Sequence, residues 1–113
     1  MKNKSASRFL PLTHTTYYTL IALENPLHGY GIMQTVDDIS GGQVKLGPGT
    51  LYGALSKLEK QGIINKFDNK DTDRRKLYIL TELGKEVVKL EFERLKQLVE
   101  VSEVYINRIG GQK

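Results

Sequence analysis

With 113 residues, the chain has length for one domain with one modest core, and too little for that core plus a separate catalytic domain. The absence of cysteine excludes a disulfide framework, a thiolate metal site and a cysteine nucleophile. The polar opening MKNKSASRF and the lack of any apolar run near the roughly 18 residues of a membrane span predict a soluble, cytoplasmic protein with no membrane partner. The net charge of +4 is unevenly placed: residues 1–80 hold eleven basic and seven acidic side chains, whereas 81–113 hold six of each. A basic body joined to a neutral tail suggests that one half meets a polyanion and the other does something else.

Three regions are expected: a flexible tail over 1–9, a body over 10–80 and a final helix over 81–110. In the body, Tyr17, Leu20, Ile21 and, more loosely, Leu23 share one side of a helix within Thr13–Glu24, and Asn25-Pro26 stops it. A second helix is predicted from about His28 to Ser40, with Ile32, Val36 and Ile39 on one face and Gly41-Gly42 ending it. Val44–Leu46 reads as a short extended stretch. Gly47-Pro48-Gly49-Thr50 starts a third helix, since proline at the first helical position loses no hydrogen bond. Leu51, Leu55 and Leu58 then form its buried face, and Gly62 sits where a left-handed cap is needed.

Ile63–Phe67 and Lys76–Leu80 are strand-like runs around a charged tip, and Thr81 is an N-cap for a helix that would be about 42 Å long over Glu82–Ile109. Helix, helix, short strand, helix, two-stranded hairpin, helix is the layout of a winged helix-turn-helix. The expected fold is therefore mainly α (α+β), with a two-stranded wing and a long C-terminal helix.

The third helix has a second face, carrying Thr50, Tyr52, Gly53, Ser56, Lys57 and Lys60. A helix N-terminus offers unpaired N–H groups and the positive end of the dipole, so Gly49 and Thr50 could admit a phosphate close to the backbone. Thr50 and Tyr52 could donate hydroxyl bonds to phosphates or base edges. A solvated amphipathic helix is the competing reading. In the tip, Arg74, Arg75 and Lys76 follow one another where a wing would meet the DNA backbone or minor groove. Asp68, Asp71 and Asp73 share that segment, so the arginines are expected to face DNA while the aspartates point away or anchor them.

His28-Gly-Tyr-Gly-Ile-Met-Gln34, Leu46-Gly-Pro-Gly-Thr-Leu-Tyr-Gly-Ala-Leu-Ser-Lys-Leu-Glu-Lys-Gln-Gly62 and Asp73-Arg-Arg-Lys-Leu-Tyr-Ile-Leu-Thr81 together closely resemble the PadR family of bacterial transcriptional regulators, over roughly residues 10–85. The resemblance implies a winged-helix dimer that binds an operator through its third helix and wing, usually a repressor relieved by a small molecule. It places Thr50, Leu51 and Tyr52 at the start of the recognition helix, with Tyr52 facing DNA and Leu51 in the core, and Arg74, Arg75 and Lys76 in the basic wing. His28 and Tyr30 fall at the family's HGY position. There His28 could cap the helix, touch phosphate or simply pack, while Gly29 and Gly31 suit near approach of another backbone.

In the tail, Val88, Phe92, Leu95, Val99, Ser102, Ile106 and Ile109 are spaced 4-3-4-3-4-3, a seam with one polar break at Ser102. Val87, Leu90, Leu98, Val101 and Tyr105 widen it beyond what one helix can bury, which predicts a homodimer. Two recognition helices related by a two-fold axis would read a palindromic double-stranded operator. Related regulators form an effector pocket between tail and first helices; Tyr17, Tyr18 and Phe92 are the aromatic candidates for a small aromatic or hydrophobic effector, although core packing also explains them. The chain has no tryptophan, unlike family members that stack flat drugs.

Catalytic, metal and cofactor sites are not expected. His14 and His28 are the only histidines, ligand spacings and a Gly-x-Ser-x-Gly elbow are missing, and adjacent Asp37 and Asp38 diverge by about 100° on a helix. A winged helix used as a protein-interaction module, without specific DNA binding, is the alternative function.

Overall fold

A computed structural model describes residues 2–68 and 76–111. Five helices and one hairpin follow in the order α1 (Lys2–Ser7), α2 (His14–Ala22), α3 (Gly29–Ile39), α4 (Pro48–Lys60), β1 (Ile64–Asp68), β2 (Lys76–Leu80) and α5 (Glu82–Ile109). Thr13 caps α2, its hydroxyl accepting the Thr16 N–H at 3.1 Å. Gly41 and Gly42, at φ 64° and 82°, turn the chain out of α3 through backbone space that side chains rarely occupy.

The end of α4 is a Schellman motif. Gly62, at φ 81°, donates to the Glu59 carbonyl at 3.0 Å, and Ile63 donates to Leu58 at 3.0 Å. Both Leu58 and Ile63 are buried, so the motif's apolar contact is present as well.

The core gathers one face from each element: Leu20 of α2, Ile32 and Val36 of α3, Leu51, Leu55 and Leu58 of α4, Ile64 of β1, Tyr78 of β2 and Val87 of α5. Ile39, the last residue of α3, departs from the expected stripe and is 46% exposed, while Val36 in the same turn is fully buried. β1 and β2 pair antiparallel from Ile64↔Leu80 to Asp68↔Lys76. Val44–Leu46 forms no strand. The third segment against the hairpin is instead Leu27, which donates to the Tyr78 carbonyl at 3.2 Å and accepts the Tyr78 N–H at 2.9 Å. Pro26 just before it has an extended-compatible backbone, and the bridge fills the free edge of β2.

Over the described residues 2–9 the chain is not the expected flexible tail. Within them α1 lies along α5, and Ala6 is fully buried. One small apolar residue in a polar segment carries no periodicity, and the helix is specified by what it packs on.

The same surface holds a buried carboxylate. Glu91, 1% exposed on α5, accepts the Leu12 N–H at 3.0 Å and the Arg94 guanidinium at 2.6 and 2.9 Å. A buried ion is tolerated only when its lone pairs are satisfied, which these bonds achieve. Hydrogen bonding from Arg94 holds the Glu91 carboxyl below its ordinary range, against the opposing effect of burial and with help from Leu12.

Thr81 joins hairpin to helix. Its N–H donates to the Ile63 carbonyl at 3.0 Å, and its hydroxyl lies 2.6 Å from the Gly62 carbonyl and 3.0 Å from that of Ile63 while accepting the Gly84 N–H at 3.0 Å. A Cβ on Gly84 would overlap the Ile63 carbonyl oxygen, a backbone atom that cannot step aside. Gly84→Ala is therefore expected to lower stability by about 1–3 kcal/mol in urea denaturation. Gly49→Ala, where a Cβ meets no protein atom within 4 Å, should cost nothing.

Glu91→Gln turns an acceptor into a group with donors facing donors, costing about 1–3 kcal/mol at neutral pH. Because folding depresses the Glu91 pKa, its contribution is complete above the ordinary carboxylate range and is lost as pH falls through the folded value. The gap between wild type and Glu91→Gln should thus narrow in acid, and a gap constant with pH would contradict the ion pair's role.

Candidate nucleic-acid interface

The first turn of α4 is exposed from Gly47 to Thr50, and Gly47 caps it without a side-chain bond. Its outward N–H groups lack intrahelical acceptors, the arrangement that attracts phosphate. Tyr52, Gly53, Ser56, Lys57 and Lys60 follow on exposed positions, opposite buried Leu51, Leu55 and Leu58. At Gly49 and Gly53 an added Cβ meets no protein atom within 4 Å, so neither glycine is explained by internal packing. In mid-helix, Gly53 costs roughly 0.5–1 kcal/mol relative to alanine while keeping the surface low.

Tyr52 does not simply extend into solvent. Its ring edge and hydroxyl lie where a Cβ of Gly29 would be, so it leans from α4 onto the first turn of α3. The missing side chain at Gly29 thus admits a tyrosine ring, where near approach of a backbone was expected. Gly31 requires no such explanation: a Cβ there meets Leu27 at an ordinary 3.4 Å. Beneath this contact Tyr78 is buried, and its phenol is raised above its ordinary pKa by burial first, then by Tyr52 and Glu59.

His28 is the N-cap residue of α3 but makes no side-chain cap bond. Its Nδ1 is 3.0 Å from the Lys76 carbonyl, at the start of β2. Tyr30 is 62% exposed, and its hydroxyl accepts from Gln34 Nε2 at 2.7 Å. His28, Tyr30, Tyr52 and Lys76, drawn from α3, α4 and β2, are therefore brought to one region by two contacts, Tyr52 with Gly29 and His28 with Lys76. Lys57 and Lys60 continue along α4, Lys57 at the rim of a 190 Å³ cavity also bordered by Thr13, Thr16 and Gln61. Arg74 and Arg75 lie outside the described residues, as do Asp71 and Asp73.

Neither contact could be read from residue types alone, because they join positions 23 and 48 residues apart. The Gly after His28 was their one visible trace.

Along α5 the apolar seam divides. Val87 is fully buried, and Val88 and Leu90 pack on the chain's own core, so Val88 spends surface that the seam assigned to a partner. From Phe92 onward exposure dominates: Phe92 52%, Val99 59%, Ile106 61% and Ile109 80%, with Leu95 half-buried. Ser102 satisfies its hydroxyl within the helix, donating to the Leu98 carbonyl at 2.6 Å. Tyr17 and Tyr18 are half-buried; Tyr18 packs on the core, and the Tyr17 phenol is raised by burial and then by the Glu91 charge. A 550 Å³ groove between α1 and α5 is lined by Ser7, Leu10, Leu90, Arg94 and neighbours, without Tyr17, Tyr18 or Phe92. Among the described residues, no group of three or more His, Cys, Asp or Glu could hold a metal ion. No helix there is long and apolar enough to cross a membrane.

A model of the transcriptional regulator PadR-like family, a family of regulators and not of enzymes, matches residues 18–90. An uncharacterized 37.1 kDa protein in transposon TN4556 of Streptomyces fradiae is 36% identical over 75 residues, which cover 66% of this chain and only 21% of that protein. Among solved structures, a PadR family transcription regulator from hypervirulent Clostridium difficile R20291 superimposes with a TM-score of 0.65 at 26% identity, covering 80% of this chain and 97% of the other. Bacillus subtilis PadR in complex with operator DNA gives a TM-score of 0.61 at 26% identity, over 70% of this chain and 46% of PadR. The helix-turn-helix, the two paired strands and the start of the closing helix fall within the matched residues 18–90, and the chain belongs to the PadR-like family of transcriptional regulators.

Proposed function

We propose that this regulator is a homodimeric repressor that binds a palindromic operator through α4 and the wing, and that a small aromatic or hydrophobic inducer releases it. The observation that carries DNA binding is the convergence of α3, α4 and β2 on one exposed region, fixed by the Tyr52–Gly29 and His28–Lys76 contacts. Gly49, Thr50, Tyr52, Lys57 and Lys60 supply the helix side of the contact. Arg74, Arg75 and Lys76 supply the wing, and Tyr30 adds an exposed phenol from α3. The fold shared with an operator-bound PadR supports this assignment. Phe92, Leu95, Val99, Ser102, Ile106 and Ile109 form the dimer seam, supported by a spacing suited to a second helix and by the exposure of Phe92, Val99, Ile106 and Ile109. An inducer would enter where α5 leaves the body, near Tyr17, Tyr18 and Phe92.

Fluorescence anisotropy on promoter fragments from the protein's own locus, across a salt series, tests the first part. Phosphate-dominated binding should weaken steeply with salt, and the operator should outcompete random duplex. Tyr52→Ala is expected to cost about 1–3 kcal/mol on the operator and less on random DNA. Gly29→Ala should reproduce that loss in a folded protein, since its Cβ displaces the Tyr52 hydroxyl, the movable end of a side chain. Failure of every palindromic fragment to bind better than random duplex would sink specific recognition and favour the protein-interaction reading.

For the dimer, Val99→Asp places a carboxylate at a site exposed within one subunit, so the body should stay folded and circular dichroism should lose no more than the outer turns of α5. In a paired seam the same carboxylate is buried without a partner, and sedimentation should report monomer. A variant that sediments as the wild type would remove the seam from the interface.

A further inference from the structure

N-cap side chains ordinarily accept a hydrogen bond from the first turn of their own helix. The His28 ring reaches instead across 48 residues to the Lys76 carbonyl at 3.0 Å. A carbonyl oxygen can only accept, so Nδ1 carries the proton and donates, which leaves Nε2 as the ring's other hydrogen-bonding atom. Next to it, Leu27 exchanges both backbone hydrogen bonds with Tyr78. Two consecutive residues at the α2–α3 junction therefore make three bonds to β2.

The position of the third bond matters most. Leu27 holds β2 at its buried middle, where Tyr78 is 6% exposed. His28 holds it at Lys76, the first residue of the strand, whose partner Asp68 is the last of β1. Residues 69–75, with Arg74 and Arg75, spring from that pair. β2 is tied at its far end through Thr81 to Ile63 and at its middle by Leu27, so the His28 bond adds a tie at the end of the strand nearest the tip. Because Gly29, the residue after His28, carries Tyr52 of α4, the same turn of chain fixes both the tyrosine of the third helix and the base of the wing.

We propose that His28 is a positioning residue: its Nδ1–H bond to the Lys76 carbonyl sets the angle of the paired strands against α3 and α4, so that the base of the wing is presented together with Tyr52. This rests on the wing reading given under Proposed function. It differs from a direct phosphate contact, which would use Nε2.

Two substitutions in the full-length chain separate the roles. His28→Asn keeps an amide donor near the Nδ1 position and has nothing at Nε2, whereas His28→Gln places its donor near Nε2 and misses the carbonyl. The latch predicts His28→Asn within about two-fold of wild-type operator affinity and His28→Gln weaker by about five-fold, the worth of one net hydrogen bond. It also predicts that the paired change Arg74→Ala with Arg75→Ala costs less in the His28→Gln background than in wild type, since a misdirected wing has less to lose. In the free protein, the ¹⁵N spectrum of the wild-type ring should show the Nδ1–H tautomer. Amide exchange at the start of β2 should quicken in His28→Gln and not in His28→Asn.

Affinity retained by His28→Gln and lost by His28→Asn would overturn the latch in favour of a phosphate contact. Wild-type affinity in both variants, with a contributing arginine pair, overturns the latch alone. An arginine pair that contributes nothing to wild-type binding overturns the wing reading itself, and the latch with it.

Discussion

The carbonyl oxygen of Ile63 is the point on which the arrangement of this molecule turns. It accepts the Thr81 N–H, lies within reach of the Thr81 hydroxyl, and occupies the space that Gly84 leaves by having no side chain. Three elements with separate tasks meet there: α4 ends at Lys60, three residues before Ile63, β2 ends at Leu80, and α5 begins at Glu82. Recognition helix, wing and long helix are thus referenced to one atom, and none can rotate far without moving the others. A junction made of backbone and one threonine is rigid for the same reason that it is easily broken, since it has no flexible side chain to absorb an error.

Local chemistry made much of the fold legible. Pro48, Gly62 and Thr81 act within one turn of their own position, and α4, its left-handed cap and the start of α5 stand where those residues indicated. The failures involve partners distant in sequence. Leu27 resembles any loop leucine until β2 lies beside it. Glu91 on its helix looks like a solvated acid paired with nearby Arg94, and only the arrival of Leu12, 79 residues away, completes the bonds of a buried one. Val88 fits a perfect heptad position, yet the heptad pattern cannot say where the body ends and the free helix begins.

The candidate interface shows the same division. Residue types identified an exposed polar face on α4, and spacing separated it from the leucines beneath. What they could not supply was the direction of Tyr52 or the anchoring of His28, because each depends on a residue brought near only by folding. Glycine supplied the one hint, since a missing side chain records the presence of a neighbour without naming it.

The outer part of α5 has a consequence for how such a regulator responds to its own abundance. From Leu98 to Ile109 the helix is exposed apart from half-buried Ser102, and a segment of that length is marginal as an isolated helix in water. In the proposed dimer, the free energy that orders these turns comes from a second copy, so folding of the segment and association are one equilibrium. Scarce protein would then be partly unzipped and poor at holding two half-sites, and occupancy of the operator would rise more steeply than in proportion to concentration. A helix left without a neighbour becomes, in that setting, a threshold on dosage.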